Sequence, residues 1–277
     1  MKVFIVTPLV VALACTLCST NGQSNPYDLQ PAGNTVFNRP HERKLIVGGA
    51  VSHAGTKTYT TGLRSTVDGE NFCVGSLISP THVLSASHCV EGEIRYASIG
   101  SHYFNGTQDG EQIRVLSIMN HRNYSTNDIE IVRDFLVLEL ERPSTFKPVK
   151  MAALDGSDTT TGDWATVLGW GRTTENGTTS HELQQTKLQL ITNEECLKSM
   201  KVDDAVVCAK GPLGESACYG DSGGPLVKES PNGEDVLIGV VSWGNGCGRD
   251  GAPTAFGLVA RVREWIESIS SGTCFSK

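Results

Sequence analysis

The chain has 277 residues and a formal net charge of −7, with 39% hydrophobic and 19% charged residues. Removing the first 45 residues makes the charge more negative, and no basic cluster interrupts it, so the electrostatic footprint of a nucleic-acid binder is missing. No stretch approaches the ~20 apolar residues that a membrane-spanning helix needs, which argues against a membrane protein.

Met1-Lys2 precedes a largely apolar run from Val3 to Leu17, which ends in the small and polar residues Cys18 to Gly22. Residues 1–20 read as a secretory signal peptide, and the product is expected to be extracellular. The polar stretch 21–45 has no usable apolar period and reads as a propeptide, leaving a domain over 46–277. From Ile46 onward, short apolar runs alternate with Gly, Asn, Asp, Ser and Thr clusters. The runs are Cys73–Ser79, Val83–Ala86, Gln112–Ile118, Phe135–Leu140, Ala165–Leu168 and Val236–Val241. Strand-length runs with recurrent turn signals predict an all-β barrel or sandwich. Helical spacing is confined to the end, where Val259, Val262, Trp265, Ile266 and Ile269 share one side of a helix expected over 259–270.

Two of the nine cysteines, Cys15 and Cys18, leave with the signal peptide, so seven remain. Export favours disulfides over metal ligation, and no pair has the close Cys-x-x-Cys spacing of a zinc site; no metal and no cofactor are expected. An odd count leaves either a free thiol or an intermolecular bridge. Asn105, Asn123 and Asn176 open Asn-x-Ser/Thr triplets and are expected to be glycosylated surface positions.

The chemistry-bearing stretch is Gly220-Asp221-Ser222-Gly223-Gly224-Pro225, a serine among glycines that let the backbone turn tightly and expose its amides. A serine hydroxyl needs a histidine base and a buried carboxylate to become a nucleophile. His88, in Ala86-Ser87-His88-Cys89, offers the base, and its ordinary pKa near 6.5 suits proton exchange at neutral pH. Two aspartates compete for the third place. Asp134 opens the aliphatic run Phe135–Leu140, whereas Asp128 is followed by charges at Glu130 and Arg133 that spoil a buried strand, so Asp134 is favoured.

The order His88, Asp134, Ser222 resembles the trypsin and chymotrypsin family of serine proteases. The resemblance implies two six-stranded antiparallel barrels, over about 46–145 and 146–258, meeting at a cleft with the C-terminal helix alongside. It also implies the bridges Cys73–Cys89, Cys196–Cys208 and Cys218–Cys247, with Cys274 left over. The amides of Gly220 and Ser222 would form the oxyanion hole. A new N-terminus at Ile46, made by removing the propeptide, would pair with Asp221 and shape that hole. The resemblance places Ser216, Ala217, Ser242, Trp243, Gly244 and Thr254 around the pocket that receives a substrate side chain.

Two features depart from the trypsin pattern. Arg43-Lys44-Leu45-Ile46 puts a leucine between the basic pair and the expected N-terminus, so the activating cut falls after either Lys44 or Leu45. Ser216 stands where trypsins carry the aspartate that binds Lys or Arg, and Thr254 replaces a glycine. A neutral pocket accepting Leu, Met or smaller apolar side chains is expected, because a basic side chain would be desolvated there without a partner. The runs Arg43–Ile46, Gly55–Gly62 and Asn105–Gln112 look like those of secreted oomycete trypsin-fold proteins, among them the glucanase inhibitor proteins. That likeness implies a host plant endo-β-1,3-glucanase as partner, beside the polypeptide substrate that the triad implies. Such inhibitors lack one or more triad residues, whereas this chain keeps all three. The intact triad makes a serine endopeptidase, produced as a zymogen, the first expectation, with the glucanase inhibitor as the alternative, and the two need not exclude each other.

Overall fold

A computed structural model describes residues 47–127, 131–212, 214–230, 233–249 and 251–270. The signal, propeptide and Ile46 readings, the alternative carboxylate Asp128, and Cys274 fall outside those residues.

Six strands form the first barrel: β1 (Thr60–Arg64), β2 (Cys73–Ser79), β3 (His82–Ser85), β4 (Tyr96–Ile99), β5 (Glu111–Asn120) and β6 (Leu136–Leu140). The ring runs β1-β2-β3-β6-β5-β4 and closes back on β1. A second set comprises β7 (Trp164–Gly169), β8 (Gln184–Ile191), β9 (Val206–Lys210), β10 (Pro225–Lys228), β11 (Val236–Gly244) and β12 (Thr254–Leu258). Pairing of β8 with β9 closes it in the order β7-β8-β9-β12-β11-β10. The expected pair of six-stranded antiparallel barrels is therefore present, and both wind by the same strand order although no sequence repeat is visible.

Closure removes every free strand edge within each ring, so each barrel needs a filled interior. Leu63, Leu77, Leu84, Ile99 and Leu138 fill the first and are fully buried. Val167, Leu188, Leu226, Ile238 and Phe256 do the same for the second. Phe135, Trp170, Val240, Val262 and Ile266 join the first cluster, so the C-terminal segment packs on the same core.

The six apolar runs read from sequence all became strands. The other six barrel strands carried no such expectation; β9 does lie on a short apolar run, Ala205–Ala209, but β1 shows why a strand can escape notice. Its sequence is Thr-Thr-Gly-Leu-Arg, yet all five residues are buried. Arg64 is enclosed because its guanidinium donates to Asn71 Oδ1 at 3.0 Å, to the Val67 carbonyl at 2.8 Å, to Gln112 Oε1 at 2.9 Å and to the Asn105 carbonyl. Only the folded chain brings those acceptors together, three from loops and Gln112 from β5, and an unpaired buried charge would be prohibitive. The helix expected over 259–270 also begins later. A 3-10 turn covers Val259–Arg261, and α-helix covers Arg263–Ser270. Val259, Ala260 and Val262 are all buried, three positions of four that a one-sided α-helical stripe does not supply.

Three disulfides join Cys73–Cys89, Cys196–Cys208 and Cys218–Cys247, as the family resemblance implied. The first spans 16 positions and ties β2 to the turn that carries His88. Replacing Cys73 and Cys89 together by alanine should cost about 3 kcal/mol on the loop-closure estimate. Denaturant unfolding checks this, and a loss below about 1 kcal/mol would show that the turn is held by packing alone.

Candidate active site

β3 runs out at Ser85, and a 3-10 turn over Ser87–Gly92 follows it. The turn places the backbone and side chain of His88 against Asp134, 46 positions away. His88 N–H donates to Asp134 Oδ1 at 3.0 Å, and its ring Nδ1 meets Oδ2 at 2.7 Å. The Ser242 hydroxyl, arriving from β11 of the second barrel, donates to the same Oδ2. Asp134 is 2% exposed, so three donors replace the water that an ionised carboxylate loses on burial. With Nδ1–H committed to Asp134, the neutral ring offers the lone pair of Nε2 as the base.

Backbone geometry fixes that carboxylate. Arg133 adopts a left-handed φ of 51°, one of two non-glycine residues with positive φ among the described residues. Phe135, the residue after Asp134, is fully buried. Its carbonyl accepts from His121 N–H at 2.8 Å and from Ser87 Oγ at 2.7 Å, binding the aspartate segment to the histidine turn. Burial pulls the His88 pKa down, but the hydrogen bond and charge of Asp134 outweigh it and leave the imidazole above its ordinary value.

Ser222 comes from the turn before β10. Its carbonyl accepts from Val74 N–H on β2 at 2.8 Å and lies 3.7 Å from Cys89 Sγ, so the serine backbone is docked on the histidine-bearing barrel. Gly223 makes this approach feasible, with φ at 78° and a would-be Cβ 2.1 Å from Ser85 Oγ. The Ser222 hydroxyl has no hydrogen-bond partner among the described residues. Histidine and carboxylate are therefore engaged while the serine stands unbonded beside them. The N–H groups of Gly220 and Ser222 also have no partner among the described residues, which leaves both free to donate to an incoming oxygen.

Asp221 points the other way, into the second barrel, and is fully buried. It accepts from Gly171 N–H at 2.7 Å and from Cys218 N–H at 2.9 Å. Glycine is required around it, because a Cβ on Gly169 or Gly171 would come within 2.1 or 2.4 Å of its oxygens. Burial outweighs the two hydrogen bonds and pushes its pKa up to about 6.

A cavity of about 190 Å³ opens beside Ser222. Ala217, Ser242, Trp243, Gly244 and Thr254 line it, five of the six residues expected there. Ser216 is not in the lining; its hydroxyl donates to the Ala217 carbonyl at 2.9 Å and accepts from Gly248 N–H at 2.7 Å. The serine at this position is therefore used to hold two loops together. The Cys218–Cys247 bridge that the family resemblance implied lines the cavity too, and so do Tyr219, Val241 and Gly246, which carried no expectation of a pocket role. Their adjacency to Gly220, Ser242 and Gly244 in the chain was the available signal. Ser242 has a further part that the sequence did not show, its bond to Asp134.

Residues 46–266 match the trypsin family. The chain is 47% identical over 249 residues to glucanase inhibitor protein 2 of Phytophthora infestans, covering 87% of this chain and 96% of that protein. It is 44% identical to glucanase inhibitor protein 2 of Phytophthora sojae, covering 82% and 80% respectively. Trypsin-1 of Salmo salar is 35% identical, with 82% and 91% covered.

Proposed function

The chain belongs to the trypsin family, and on that premise we propose that it is an exported protein that binds and inhibits a host plant endo-β-1,3-glucanase. The observation that carries this reading is the similarity to glucanase inhibitor proteins, 47% identity along 87% of the chain against 35% for a trypsin. A fold of this kind can host binding as well as catalysis.

A second reading is favoured by a specific observation. The 2.7 Å contact between His88 and a buried Asp134 is the arrangement that general-base catalysis needs, and it is costly to keep without use. On this reading His88, Asp134 and Ser222 form the triad of a serine endopeptidase, Gly220 and Ser222 supply the oxyanion hole, and the uncharged described lining selects apolar side chains of polypeptide substrates. The protein would be made as a zymogen, with removal of 21–45 freeing Ile46 to reach Asp221. The two activities can coexist on one chain.

The test is hydrolysis of laminarin by a purified plant endo-β-1,3-glucanase, titrated with the matured protein. Stoichiometric loss of glucan hydrolysis, retained by a Ser222→Ala variant, supports inhibition that needs no catalysis. If hydrolysis is unaffected at a large excess of protein, the inhibitor reading fails.

A further inference from the structure

The segment from Arg172 to Thr179 takes no part in the site described above, yet it is fixed along the mouth of the cavity. It forms a hairpin, closed by an antiparallel bridge between Arg172 and Thr179 and by a bond from Thr173 N–H to the Thr178 carbonyl at 3.1 Å. Gly177 N–H turns the tip by donating to the Thr174 carbonyl at 2.9 Å. Three ties hold the hairpin to cavity-lining loops. Arg172 N–H donates to the Tyr219 carbonyl at 2.9 Å, and the Arg172 guanidinium lies 5.3 Å from the Tyr219 ring centre. Glu175 receives Arg249 through Nε at 3.0 Å and Nη2 at 2.8 Å. That ion pair covers Gly246, where a Cβ would stand 2.4 Å from both Arg249 Nε and Glu175 Oε1. Tyr219 and Gly246 both line the cavity, so the hairpin is part of its rim.

Asn176 sits at the tip, next to Glu175, and opens the triplet Asn176-Gly177-Thr178. Asn176 and Thr178 are both exposed, and the Asn176 side chain makes no hydrogen bond with any described residue. We propose that Asn176 carries an N-linked oligosaccharide which, from this place on the rim, acts as a size filter that keeps protein-sized partners from the cavity and admits small ones. The proposal rests on the export in the reading above, because the modification needs a glycosylating secretory route. It does not depend on whether the cavity cleaves peptides. In the modification, the Asn176 amide nitrogen displaces a lipid diphosphate from the anomeric carbon of a lipid-linked oligosaccharide. One C–N bond forms, one C–O bond breaks, the diphosphate leaves with the electron pair, and the amide loses a proton.

The other triplets differ in placement. Asn105 is half-buried and its carbonyl is held by the enclosed Arg64, while Asn123 is exposed on the segment before β6. Neither is tied to a cavity-lining residue by a hydrogen bond or ion pair among the described residues. A glycan at Asn123 therefore serves as an internal control.

The test uses the full chain secreted from a glycosylating eukaryotic host, with Asn245→Cys as a reporter between the cavity residues Gly244 and Gly246. Peptide mass before and after enzymatic glycan removal reports occupancy at Asn176. Reaction of the reporter is then followed with a bare maleimide and with a polymer-linked maleimide, the adduct being located by peptide mass. The bare reagent should react at rates within about twofold in the glycosylated chain and in Thr178→Ala, whereas the polymer should react about tenfold slower in the glycosylated chain. Enzymatically deglycosylated protein should match Thr178→Ala, which covers a variant that folds poorly, and Ser125→Ala should leave the ratio unchanged. An unmodified Asn176 would overturn the proposal, as would equal polymer rates with and without the glycan.

Discussion

Asp134→Asn should slow the reaction of Ser222 with a phosphonylating reagent by about four orders of magnitude, whereas Asp128→Asn should leave it unchanged. The asparagine keeps the size of the side chain but presents a donor where Nδ1–H needs an acceptor. The imidazole then turns to the wrong tautomer, and Nε2 no longer offers a lone pair to the serine. The pH dependence gives an independent check. His88 stands above its ordinary value of 6.5, since Asp134 outweighs the downward pull of burial. Labelling requires neutral imidazole, so the wild-type rate should rise through a midpoint above 6.5, and the residual rate of the variant through one below it. The measurement is the second-order labelling rate from pH 5 to 9, with the adduct mapped to Ser222. An equal loss in Asp128→Asn would remove Asp134 from the site, and a wild-type chain that takes no label would leave only the inhibitor reading.

The uncut chain should lose about 3 kcal/mol of stability as pH rises from about 4 to 7, through Asp221 alone. Its folded pKa of about 6 lies above the ordinary 3.8, because burial disfavours the carboxylate more than the bonds from Cys218 and Gly171 favour it. A carboxyl whose folded pKa is raised contributes its stability fully below the ordinary value and loses it as pH rises through the folded one. The window is therefore about 4 to 6, and stability falls across it. Cutting to leave Ile46 as the N-terminus should bring an ammonium to Asp221, drop its pKa and abolish the decline. Cutting after Lys44 would displace that ammonium by ~3.5 Å and preserve it. Denaturant unfolding of Ser222→Ala chains, uncut and cut at each bond, measures the slopes, and a carboxyl-carbon NMR titration reads Asp221 directly. If Asp221→Asn keeps the full decline, or the NMR midpoint lies at 3.8, the buried carboxylate is not its source.

Legibility in the sequence followed chemistry more closely than architecture. His88, Asp134, Ser222 and Asp221 were legible because each requires a side-chain type that few neighbours supply. Their local runs, Ala-Ser-His-Cys and Gly-Asp-Ser-Gly-Gly, also have few other uses. Strands such as β2 and β6 were legible because most of their residues are apolar and buried. β1 and β8 were not, since Arg64 and Gln184 sit in them and only partners brought up by folding make those polar groups tolerable. Ser216 has a use that its position did not reveal. Its position predicted a pocket wall, but its hydroxyl is spent on Gly248 and Ala217.

By itself the sequence determined an all-β class and named candidate residues for acyl-transfer chemistry, while the two barrels and the three disulfide pairs entered through the family resemblance. The all-β class and the candidate residues follow from residue type and local order, which are properties of the chain alone. The tertiary structure decided that Ser242 completes the shell of Asp134, that Ser222 docks through Val74 without bonding His88, and that the hairpin bearing Asn176 borders the cavity. Each depends on two segments tens of residues apart meeting at hydrogen-bond distance. Closing two barrels against a shared core fixes such meetings, and no local pattern encodes them.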